Sequence, residues 1–160
     1  MALSESARMN SAAEARFRVQ APNSTPRISK VIALDAAGEG VVRRLAGGDW
    51  GHATFFTAVM SPGVALRDLS GHVRSVNDEV DTADLVIFVA GPGGHAEAAS
   101  PIGQACSHRH VMTTGFIVGV TSASDGAVSK TLAQVRPWSL MVVMANSDDY
   151  IDDMLVALRA

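Results

Sequence analysis

From residue 28 onward, short apolar runs alternate with segments whose apolar positions recur at helical spacing. KVIALD (30–35) predicts a buried strand, and GEGVVRRLA after it can place Val41, Val42 and Leu45 on one helix face. ATFFTAVM (53–60) predicts a second strand, closed by Ser61, Pro62 and Gly63. GVALRDLSG fits a short edge strand, and HVRSVNDEVDTA a helix with Val73, Val76 and Val80 inward. DLVIFVA (84–90) is apolar at nearly every position, the pattern of a central parallel strand covered on both faces.

A helix through about Ser107 follows, restarted at Ser100-Pro101, where serine can cap and proline suits the first turn. HVMTTGFIVGV (110–120) holds the next strand. DGAVSKTLAQV brings Val128, Leu132 and Val135 to one side, and SLMVVMA (139–145) is a further strand. The last segment, NSDDYIDDMLVALRA, has Ser147 or Asp148 as cap, acids in its first turns, and Ile151, Met154, Leu155 and Leu158 as its buried stripe. Such alternation predicts a three-layer, doubly wound, mostly parallel sheet of five to six strands, a Rossmann-like α/β fold. Residues 28–160 are expected to form one domain. Residues 1–27, small and polar, are expected to form a flexible arm with one short helix over Ala12 to Arg18.

Composition narrows the function classes. The content is 48% hydrophobic and 18% charged, that of a globular chain. A net charge of -3, with scattered Lys and Arg, gives no field for nucleic acid. No run reaches the roughly 18 apolar residues of a membrane helix, and the N-terminus lacks the apolar core of a secretory signal. The single cysteine, Cys106, fits a reducing compartment. A cytoplasmic location follows as the expectation, with neither nucleic acid nor membrane as partner.

In open α/β sheets, ligands bind outside the carboxyl ends of the strands, near the switch in strand order. Here those ends carry Asp35 to Gly38, Met60-Ser61, Gly91 to His95, Thr121 to Asp125, and Asn146 to Asp148. Asp35, Glu97, Asp125, Asp148 and Asp149 fall on that rim, and no Lys or Arg obviously does. A bare phosphate would meet helix N-termini that attract it and carboxylates that repel it; Mg²⁺ bridging them would resolve the conflict. Asp35 and Asp125 are the candidate metal ligands. His95 and Glu97 share a turn at a strand end, where a base and an acid could meet a substrate; alternatively, His95 caps the following helix and Glu97 complements its dipole. His95, Glu97, Cys106, His108 and His110 lie within sixteen residues. A helix over 96–107 would span roughly 18 Å, setting His95 at the opposite rim from His108 and His110 and speaking against one zinc cluster.

The stretch TADLVIFVAGPGGHAEAASPI resembles the signature of the tubulin/FtsZ GTPases. There an acidic residue precedes an apolar strand, an A-G-x-G-G-G-T-G-T-G loop follows, and A-A-P opens a helix. Asp84, the strand 85–89, Ala90, Gly91, Gly93, Gly94, Ser100 and Pro101 match in kind and order. VIALDAAGEGVVRRLA looks like the family's first strand and glycine turn, and WSLMVVMANSDDYIDDML like its later strand and helix. His95 and Glu97 stand where the family has glycines, and the loop is one residue shorter before the proline.

The resemblance implies a nucleotide-binding domain. Together with the crevice position it makes Gly38, Gly40, Gly91, Gly93, Gly94, Thr121 and Asn146 the candidate ligand contacts. FtsZ-type GTPase polymerisation is not expected, because the long core helix and second domain have no counterpart. Three readings follow. The chain is a small-ligand domain binding a nucleotide with a divalent cation, or a small enzyme using His95 and Glu97. The third is a structural or assembly module, a homo-oligomer in which the LMVVMA methionines lie near the interface or, more simply, fill the core.

Overall fold

The structure, a computed structural model, describes residues 26–60, 62–146 and 149–160. The expected arm helix and the Ser147 or Asp148 cap lie outside the described residues. In chain order the elements are β1 (Ser29–Ala33), α1 (Ala36–Ala46), β2 (Ala53–Met60), β3 (Val64–Asp68), β4 (Val73–Arg74), α2 (Val76–Asp81) and β5 (Leu85–Ala90). They continue as α3 (Ala99–His108), β6 (Met112–Val118), α4 (Asp125–Val135), β7 (Met141–Ala145) and α5 (Asp149–Ala157). Short 3₁₀ turns at Val120–Ser122 and Arg136–Trp138 flank α4.

Among the described residues the sheet has seven strands, in the order β4-β3-β2-β1-β5-β6-β7. From β2 to β7 the pairing is parallel, and β3 and β4 add an antiparallel hairpin at one edge. Odd and even strand positions feed two apolar layers. Val31, Ala33, Ile87 and Val89 pack with Val42 and Leu45 of α1 and with Ile151 and Leu155 of α5. Ile32, Val86 and Phe88 pack on the other face with Val80 of α2, Ile102 and Cys106 of α3, and Val135 of α4. Helices on both faces of a mostly parallel sheet make this a Rossmann-like three-layer fold, and β5 is buried at all six positions.

One strand more than the five to six expected is present: VALRD forms the anticipated edge strand against β2, and Val73–Arg74, expected in a helix, pairs with it as β4. The helix anticipated over 72–83 shrinks to Val76–Asp81. Val73 is exposed in β4, and the Ser75 hydroxyl starts the helix by accepting from the Asp78 amide at 3.5 Å. Ser100 does not cap α3: the cap position is Ala98, without a side-chain hydrogen bond, and Pro101 sits in the first turn. That helix ends in a Schellman turn. The Val111 amide reaches the Cys106 carbonyl at 2.9 Å and the His110 amide the Ser107 carbonyl at 3.2 Å, with His110 left-handed at φ 58°.

Candidate functional site

After β1 the chain turns to one side to form β2, and the later β5 returns to its other side. The carboxyl ends of β1 and β5 therefore flank the switch point where such folds hold ligands. Asp35 lies two residues past the first of these strands and Gly91 directly follows the second. One Asp35 oxygen accepts from the Gly38 amide at 2.8 Å and so caps α1. The Gly91 amide divides its hydrogen between both Asp35 oxygens, at 3.1 and 2.9 Å. A carboxylate thus occupies the anion-attracting position that the helix N-terminus and loop amide create. The backbone closes around it: a Cβ on Gly38 would lie 2.1 Å from the Val89 carbonyl oxygen, and one on Gly91 2.6 Å from Ala37 Cβ.

The glycine loop is held with equal completeness from the other side. Gly93 and Gly94 take φ values of 124° and 79°, which a side chain would strain, so the loop doubles back toward α4. There the Gly93 amide donates to the Ala127 carbonyl at 3.0 Å, and the Gly94 amide to the Thr131 hydroxyl at 3.0 Å. The same hydroxyl donates to the Gly91 carbonyl at 2.9 Å, and Thr131 is fully buried. Gln134 closes the loop: its amide nitrogen donates to the Gly94 carbonyl at 2.9 Å, and its oxygen accepts from the Ala96 amide at 2.8 Å. Five amides of the kind that grip phosphate, those of Gly38, Gly91, Gly93, Gly94 and Ala96, are bonded within the chain.

The remaining candidates are distributed along the rim. The Asn146 side-chain oxygen accepts from the Thr121 amide at 3.1 Å, tying the end of β7 to the turn after β6. Gly40 lies in α1 beside open space. Asp125 is exposed in the first turn of α4, and His95 and Glu97 are exposed in the turn before α3. No hydrogen bond joins His95 to Glu97 among the described residues. Neither do any three His, Cys, Asp or Glu side chains there gather as a metal cluster, and both Asp35 oxygens face backbone amides. At the far end of α3, Cys106 is buried, which pushes its thiol up to about 11 against the opposing pull of the Arg109 guanidinium.

Three contributors escaped the sequence. Thr131 and Gln134 lie about forty residues from the loop they hold, and Lys130 runs its stem past Gly94, so the rim does carry a cation. A Thr and a Gln at i and i+3 on a helix with apolar neighbours was the available signal, visible only with the loop's position known. Compared with known proteins, the chain matches no family model and no curated sequence. Fold and site together define a Rossmann-like α/β protein whose switch point is closed by its own side chains. Among the described residues no helix is long and apolar enough to cross a membrane.

Proposed function

We propose that the chain is a non-catalytic assembly module, built on a nucleotide-binding type of scaffold whose carboxyl-end loops have turned inward. The observation that carries this reading is the occupation of the loop amides by Asp35, Thr131, Gln134 and the Ala127 carbonyl. A phosphate entering the crevice must displace a carboxylate and break three charge-assisted contacts, with like charge opposing it throughout. Mg²⁺ would relieve the repulsion only by taking Asp35 from amides that then lie unpaired in a buried turn. An acid–base enzyme using His95 and Glu97 would need a cleft that excludes water, and both residues stand exposed.

Isothermal titration with GTP, GDP, ATP and NAD, each with and without Mg²⁺, tests the reading. Flat traces are expected throughout. Saturable heat from any of them overturns it and restores the nucleotide-domain reading with Gly38, Gly40, Gly91, Gly93, Gly94, Thr121 and Asn146 as contacts. One observation favours a lesser site for a small anion. The amides of His95, Glu97 and Ala98 make no hydrogen bond within the described chain, and Lys130 lies close by. Inorganic phosphate in the same titration reports on it.

A further inference from the structure

The two edges of the sheet are built differently. At one edge β4 is two residues long, in a hairpin that holds Arg67, Asp68, His72 and Arg74, with Arg74 Nε 3.5 Å from an Asp68 oxygen. A short, charged edge offers little template to another strand. At the other edge β7 pairs, among the described residues, only with β6, and its five residues, MVVMA, include neither a charge nor a proline. Met141 and Met144 are half-exposed, and Leu140 just before them is 78% exposed. Natural sheets avoid a bare apolar edge unless something pairs with it.

The face above β7 adds a charge pattern. There α4 lies over β6, with Val135 above Gly115. Two stretches of groove, of about 360 and 430 Å³, run between α4 and β7 and share Leu132 and Met144 as lining. Arg136 lines the first and Asp125 the second, one at each end of the helix. From Asp125 to Arg136 the helix rises about 16 Å, which matches five strand residues at about 3.3 Å each. Neither charge has an ion-pair partner within the chain among the described residues.

We propose that the occupant of this edge is a second copy of the chain, its β7 paired antiparallel with this one about a two-fold axis normal to the sheet at Met144, the residue level with the middle of α4. The inference rests on the assembly reading above and names its partner. Antiparallel pairing about that axis keeps the same face of both sheets on the same side. It therefore lays the two α4 helices side by side in opposite directions, so that Asp125 of each copy meets Arg136 of the other. Between these two ion pairs, Leu132 and Met144 of both copies fill one continuous apolar strip. Parallel pairing would turn one sheet over and leave both charges unmatched. Pairing β7 with β4 would meet the charged hairpin instead. Only the two-fold arrangement satisfies strand, groove and charge together.

Sedimentation equilibrium of the full chain, across a wide concentration range, tests the proposal with four variants. The parent is expected to dimerise, and Met144→Lys to remain monomeric. Asp125→Lys and Arg136→Glu should each weaken the dimer by about tenfold or more, since each sets two like-charge contacts in place of two attractive ones. The double variant should recover most of that loss. Melting curves taken under monomeric conditions verify that each variant folds. A monomer at every concentration overturns the proposal, and protected β7 amides in that monomer would assign the edge to residues 1–25 instead. A dimer indifferent to Met144→Lys, or charge reversals that do not rescue each other, overturn it too. A monomeric chain leaves the assembly reading open to another partner, whereas nucleotide heat defeats that reading whatever the oligomeric state.

Discussion

Replacing Asp35 with alanine removes the helix cap and the tie between β1 and β5 in one step. Loss of the cap on α1 costs about 1 kcal/mol. The charge-assisted bond to Gly91 contributes a further ~1.5–3 kcal/mol, because that amide is left without a partner at a buried residue. The two share one carboxylate and do not add fully, so about 3 kcal/mol is the expected loss. At about 2–4 °C per kcal/mol for a chain of this size, the melting temperature falls by about 6–12 °C. Asp35→Asn keeps the cap oxygen but turns an NH₂ toward the Gly91 amide, so it falls between parent and alanine. If Asp35 acts as an internal anion, millimolar formate should restore part of the alanine variant's stability. Calorimetry with and without formate reads all three. A melting point within about 2 °C of the parent refutes the latch, and a ligand-binding Asp35 held at some cost to stability would give that result or a rise.

Other consequences are reached by the same measurements. Lys30 is buried with its Nζ 2.9 Å from Glu79 and 5.9 Å from the Phe56 ring centroid, so Glu79→Gln should cost about 2–4 kcal/mol in urea unfolding. Adding Lys30→Met to that variant should recover most of the loss, and no recovery would show that the charge was not the cause. His110→Gly relieves the left-handed strain and should stabilise by about 0.5–1 kcal/mol; a destabilised variant contradicts the Schellman assignment. With its thiol near 11, Cys106 should resist thiol reagents at pH 8 until the chain unfolds, and immediate labelling refutes its burial. The folded thiol titrates above its ordinary 9.0, so its contribution to stability is intact below pH 9 and lost as pH rises toward 11.

The fold was legible where burial alone decides structure. DLVIFVA is a fully buried central strand, as its unbroken apolar run requires, and Ile151 and Leu155 are the buried stripe of α5. Periodicity misled where pairing with a distant segment decides. Val73 and Val76 are spaced as in a helix, yet Val73 lies opposite Arg67 in a hairpin. The face of α4 was misjudged for a related reason. Val128, Leu132 and Val135 read as its inward side, but only Val135 is buried, and the fully buried residue of the middle turn is Thr131. A threonine can be buried there because the loop satisfies its hydroxyl as both donor and acceptor. That rotation sends Val128 and Leu132 outward to line the groove beside β7. For the candidate site, the positions of Asp35 and the glycines at the switch point could be read from the strand ends. Their bonding could not, since Asp35 and Gly91 are 56 residues apart, and Gly94 and Thr131 are 37 apart.

The loop amides are already bonded inside the protein. Amide-resolved hydrogen exchange by NMR, in the presence and absence of GTP with Mg²⁺, measures it most directly. Slow exchange is expected at Gly38, Gly91, Gly93, Gly94 and Ala96 in the free chain, unchanged by nucleotide. Fast exchange at these amides that slows when nucleotide is added would contradict it.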